Sequence, residues 1–248
     1  MICGFKAVWA AIGAISLLAA GTAGCARNDA DQLAASAVQT IRQAESIHFQ
    51  EQSQTAVDGF PLPQLPRVEG SMAGGKVTAL AARSGTMAER NTPDAADVPP
   101  LRWNLPLWLE HYDKLKGQAR LDRAQSDSSS RAVSVKLNPD EVRQLVASEL
   151  LTQKGDIQRQ LAAALQAPPR GVSGAKAGQL RSELQGAAAE QSARLDEMLG
   201  SLQAEGEMTF WLDKNNRPLR LSLGTNLRYR SGGQNRTETG QTVYTFGE

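Results

Sequence analysis

Alternation near the carboxyl end constrains this chain most. Met208, Phe210 and Leu212 recur at every second position of residues 207–213, and Leu219, Leu221 and Leu223 do the same in 218–223. Successive side chains of a strand point to opposite faces, so a period of two gives each segment one apolar and one polar face. Two more strands are expected at 227–230 and 241–246. Asp213-Lys214-Asn215-Asn216 and Ser231-Gly232-Gly233 supply the turns. An antiparallel meander of this kind must bury its apolar face, and helices are the expected cover.

The rest of the chain reads the same way. Leu33, Ala37, Val38, Ile41 and Ala44 share one face of a helix over about 31–45. A strand follows to about Thr55, with Ile47 and Phe49 on one side and His48, Gln50 and Gln52 on the other. Three prolines in 60–66 remove ladder donors and bar a central strand there. Arg67–Ala73 and Lys76–Arg83 form a hairpin about Gly74-Gly75, with a further arm at 86–90 and a proline-containing loop over 91–100. A short helix is expected to begin near Pro106, within the aromatic stretch 101–115, followed by strands at 118–123 and Arg131–Leu137. Asn138-Pro139 then opens a helix as cap and first residue, with Val142, Leu145, Val146 and Leu150 as its buried stripe. Beyond a break at 168–174, residues 175–204 carry apolar groups at three- and four-residue steps, from Leu180 and Leu184 to Leu199 and Leu202.

The amino end predicts an address. Lys6 precedes an apolar run over 7–20, long enough for the core of a secretion signal and too short to span a bilayer. Gly21-Thr22-Ala23-Gly24-Cys25 follows and resembles the lipobox of bacterial lipoproteins, which implies that Cys25 receives diacylglycerol and becomes the first mature residue. The expected organisation is a signal peptide at 1–24, a lipidated tether at 25–30 and one domain over 31–248, with a helical insertion at about 138–204. Cys3 would be lost with the leader, leaving one thiol, no internal disulfide and no thiolate metal cluster. The protein is then expected at the extracytoplasmic face of the cell membrane, held by acyl chains, or at the outer membrane of a Gram-negative host. Net charge is +1, so nucleic acid is not an expected partner.

Three segments have the outline of a chemical site, and each is better explained without one. Gly70 to Lys76 has phosphate-loop spacing, but Val77 stands where the magnesium-binding hydroxyl belongs and the flanks read as strand. Glu110-His111-Tyr112-Asp113 places adjacent residues in different directions around a helix, a poor chelate. Ser173 and Lys176 have Ser-x-x-Lys spacing without the companion motifs of the penicillin-binding enzymes. No catalytic residue, cofactor or metal is expected, and the chain is read as a binding protein rather than an enzyme. Trp103, Leu105, Leu107 and Trp108 are the candidate ligand-binding residues, as the gate of an apolar pocket; the alternative is a place in the core.

Two segments carry a resemblance. Ala44-Glu45-Ser46-Ile47-His48-Phe49, after a helix, and Met208 to Arg220, through Asp213-Lys214-Asn215-Asn216, are similar to the lipoprotein-carrier-like group that includes LolA, LolB, LppX and LprG. The resemblance implies an α+β fold in which a strongly curved antiparallel sheet, a half-barrel, has helices covering its concave face. It also implies an apolar cavity and a role in binding or carrying a lipid or other amphipathic ligand. The alternative expectation is an envelope sensor or assembly factor, with a protein partner bound through the long helix.

Overall fold

The computed structural model describes residues 29–63, 66–83, 104–166 and 174–247. Helix α1 covers 29–43 and leads through a short bend into β1 (Ile47–Val57). A two-residue strand, β2 (Phe60–Pro61), folds back on the end of β1, and β3 (Arg67–Ala73) and β4 (Lys76–Arg83) form a hairpin. Two short helices follow, α2 (Leu105–Glu110) and α3 (Tyr112–Leu115), then β5 (Lys116–Asp122) and β6 (Arg131–Leu137). Helices α4 (Pro139–Gln166) and α5 (Gly174–Ser201) separate these from β7 (Gln203–Leu212), β8 (Pro218–Ser231) and β9 (Gln234–Gly247).

Local chemistry sets several boundaries. Asn104 caps α2, its Oδ1 accepting from the Leu107 amide at 3.4 Å. Asn138 Oδ1 accepts from the Asp140 amide at 3.0 Å, and Pro139 holds the first position of α4, where no amide hydrogen is needed. Between β7 and β8, Asp213 Oδ1 accepts from the amides of Asn215 and Arg217, and Asn216 takes the left-handed conformation that its short side chain tolerates. Gly232 and Gly233, both at positive φ, make the tight turn that joins β8 to β9 without splaying them.

All nine strands lie in one antiparallel sheet, in the order β4-β3-β1-β9-β8-β7-β6-β5, with β2 attached to the end of β1. A middle strand is therefore the latest in sequence among those described: β9 pairs with β1 on one side and with β8 on the other. Among the described residues the sheet has β4 and β5 as its edge strands and is open. This overturns the expected half-barrel and, with it, the resemblance to the lipoprotein-carrier-like group. Register gives the physical reason. Strong bending of a sheet needs bulges or kinks in its central strands. The register shifts here fall in the outer pairs, between β3 and β4 and between β5 and β6, and at the end of the β7–β8 ladder. β1 and β9 pair from His48 to Val57, and β8 and β9 from Arg220 to Ser231, without a shift.

One face of the sheet carries the core. Phe49, Met72, Val133, Val135, Leu137, Met208, Phe210, Leu212, Leu221, Leu223 and Tyr244 are buried there under the helices. Ala30, Ala34, Ala37, Val38 and Ile41 are the buried stripe of α1; the alanines let it lie close to its neighbours. Helix α4 packs on β7 and α5 on β8.

Candidate functional site

Leu105 and Trp108 are buried in the core, Leu107 is partly buried against it, and Trp103 lies outside the described residues, as does Cys25. The same short helices bury Leu109, Tyr112 and Leu115, and the Tyr112 ring meets Phe210 of β7 edge-on, 6.2 Å between centroids. This is the layer between helices and sheet, filled by large side chains. The other motifs are equally structural in their surroundings. Residues 70–76 run from β3 through the turn into β4, with no helix after the glycines. Glu110 and Asp113 are exposed, Asp113 is paired with Lys116 at 2.8 Å, and the His111 ring bonds to the Leu107 carbonyl. Among the described residues no group of three or more metal-capable side chains gathers. Lys176 is exposed on α5, and Ser173 lies outside the described residues.

A polar seam crosses the covered face instead. Glu51 and Ser53 of β1 share the parity of Phe49 and so point toward the helices. Their partners across the ladder are Tyr244 and Thr242 of β9. Ser53 Oγ donates to Glu51 Oε1 at 3.0 Å and lies 2.9 Å from Thr242 Oγ1, which completes a short chain of hydroxyls. Glu51 is only 4% exposed, and its Oε2 has no hydrogen-bond partner. Burial pushes its carboxyl up to about 7, against the opposing bond from Ser53. Glu149, on α4, is also pushed up to about 7 by burial. Burial holds the Tyr244 hydroxyl well above its ordinary range, and the charges of both glutamates reinforce that shift. One carboxyl from the sheet and one from a long helix thus act electrostatically on the same buried tyrosine. Thr225, on β8, adds a buried hydroxyl with no hydrogen-bond partner.

The opposite face is wetter. A cavity of about 710 Å³ opens across β5 to β9, lined by Gln118, Arg120, Lys136, Glu207, Asn226 and Gln241 among others. Arg120 and Glu207 stand 3.6 Å apart across it. Its lining is polar and of both signs, with no aromatic platform.

The two long helices form the third feature. Each has 28 residues, so each extends about 42 Å at 1.5 Å per residue. On α4 the buried side chains are Val142, Leu145 and Val146, with Ala147 and Leu150 half-buried against the core. From Leu151 onward none of its described side chains is buried, and α5 offers no fully buried residue among those described. Leu151 is 54% exposed and Leu184 37%. Lys154 and Asp196 join the helices at 2.6 Å.

Sequence reasoning passes over the seam, although its signal is present. Glu51, Ser53, Thr242 and Tyr244 fall on the apolar parity of their strands, where a polar side chain is unexpected. No family model and no curated protein matches the chain. A solved acyl-CoA thioesterase II, TesB2, from Mycobacterium marinum aligns over 90% of each chain at 13% identity with a TM-score of 0.11, too low to bear on the fold.

Proposed function

We propose that the protein is a membrane-tethered, non-catalytic lipoprotein of the cell envelope that acts through protein contacts of its α4–α5 arm. The observation that supports this most is the length of arm left without core contact. Past Leu150 no described side chain of α4 belongs to the core, while Leu151 and Leu184 present exposed leucines. Long helices whose apolar side chains stay in water are a surface for another protein to cover. The lipid-carrying alternative needs dry room between helices and sheet, and Trp108, Tyr112, Phe210 and Tyr244 occupy that layer. The tether rests on the leader and Cys25, read from sequence.

Photocrosslinking from Leu151 and Leu184 in intact cells tests the arm. A discrete adduct is expected from both positions, and the double variant Leu151→Glu/Leu184→Glu should abolish partner recovery while leaving circular dichroism and melting temperature unchanged. Equal recovery with the double variant would sink the reading. So would native mass spectrometry showing stoichiometric lipid held by the wild-type chain. Incorporation of labelled palmitate, lost on Cys25→Ser, tests the tether separately.

A further inference from the structure

The most exposed large apolar side chain among the described residues is Phe60, at 76%, and Leu62 beside it is 43% exposed. Pro61 and Pro63 between and after them are also exposed, so four consecutive side chains, Phe60 to Pro63, face water. Loose loops often carry stray apolar residues, but this segment is fastened. Asp58 and Gly59 make a tight turn at positive φ, and β2 pairs Phe60 with Val57 and Pro61 with Ala56. The Leu62 amide donates to the Thr55 carbonyl at 2.8 Å. Asp58 is tied to β9 three times: its amide donates to the Thr237 carbonyl, its Oδ1 accepts from the Thr237 amide, and its Oδ2 pairs with Arg236 at 2.6 Å. The exposed prolines cost the segment no ladder bond, and they restrict the backbone that displays Phe60 and Leu62.

The strands beside the hairpin carry exposed arginines. Thr237, which holds Asp58 on one side, pairs with Arg228 on the other, and Arg236 pairs with Tyr229 one step further along. Arg230 follows on β8, with Glu197 3.8 Å away. Three arginines thus lie on β8 and β9 beside the hairpin; Arg236 is paired with Asp58 and Arg230 with Glu197, and a third carboxylate, Glu238, opposite Val57, is buried. Apolar side chains held rigidly in water, with arginines at their margin, match a bilayer interface: the ring and leucine enter the acyl boundary while the guanidinium groups meet anionic headgroups.

We propose that the Phe60–Pro63 hairpin is a membrane-contact element that docks this end of the sheet onto an anionic bilayer. The inference rests on the tethered reading only for the nearness of a membrane, since the tether sets distance and the hairpin sets orientation. A lipid-anchored body without such a contact would tumble on its tether; with it, one end of the sheet faces the bilayer.

The test uses the full chain carrying Phe60→Trp, compared with the parent chain and its four tryptophans. Both are bound to vesicles of phosphatidylcholine containing a minority of phosphatidylglycerol, and the parent emission is subtracted. The expected difference emission is blue-shifted and quenched by brominated acyl chains, less so on phosphatidylcholine alone, and Arg228→Gln/Arg230→Gln should weaken it. Difference emission that stays water-like in the vesicle-bound fraction overturns the proposal. So does a blue shift that appears without vesicles and tracks dimer formation in sedimentation, which would assign the hairpin to a second copy. Failure of palmitate incorporation at Cys25 would remove the tether and leave the vesicle assay readable, so the two readings fail independently.

Discussion

Glu51 shows what one residue can impose. Its carboxyl titrates near 7 in the folded chain and near 4.5 when exposed, and Glu149 does the same. A raised folded-state value means that the native protein holds these protons more tightly than the unfolded chain. The stability they contribute is complete below about pH 4.5 and is lost as pH rises toward 7 and beyond. Each loss is on the order of 3 kcal/mol at most, because a tenfold difference in proton affinity between the folded and unfolded chain is worth about 1.36 kcal/mol. Asp58, Asp113, Asp122 and Asp127 are held below their ordinary range and act in the opposite sense, only as pH falls below about 4. Urea midpoints between pH 5 and 8 should therefore fall with rising pH, and Glu51→Gln should flatten the curve by about half. An unchanged slope in that variant would remove Glu51 from the account. Trp108 poses a simpler question. It is fully buried, so Trp108→Ala should cost about 3–5 kcal/mol and lower the melting temperature sharply. A variant that melts like the parent would take the residue out of the core and restore it as a gate.

At the scale of elements, the sequence discloses what local chemistry controls. Arg67–Ala73, Lys76–Arg83 and Arg131–Leu137 are strands with the boundaries that alternation and turn glycines predict. Helix α4 starts at Pro139 because Asn138 and Pro139 are a cap and a first-turn residue wherever they occur together before an apolar stripe. Its end is not legible: the stripe weakens after Leu150, yet the helix runs to Gln166. Alanine, glutamine and leucine carry it by propensity where no core contact remains. Strand length escapes the sequence for a related reason. Gly224, Thr225 and Asn226 look like a break between 223 and 227, but β8 passes through them because β7 and β9 pair with it on both sides. Tertiary pairing overrides local propensity there. The arm's weak anchoring has a measurable consequence. Backbone amides at 152–166 and 176–190 should exchange with solvent well ahead of those at 142–150, the turns that Val142, Leu145 and Val146 fasten to the core. Uniform protection along α4 would mean that the arm is held by contacts beyond those described.

For the molecule as a whole, layer and class are legible and curvature is not. Alternation predicts a sheet with one covered face, and the helices do cover one face. Whether such a sheet closes depends on where bulges fall among strands far apart in sequence, and the pattern at the chain's two ends carries no information on that. The polar seam is hidden differently: parity puts Glu51 and Tyr244 on the covered face, but only pairing β1 with β9 sets them side by side.

The placement of β9 also bears on how the chain becomes a protein. Residues 234–247 join β1, β3 and β4 to β8, β7, β6 and β5, and without them the sheet is two unconnected ribbons. One edge of β1 pairs with the nearby β3, but the other must wait for a partner far along the chain. A polypeptide emerging amino end first keeps its two ribbons apart until β9 appears, a pairing of high contact order that slows folding. The two ribbons cannot join into one sheet before residues 234–247 are available.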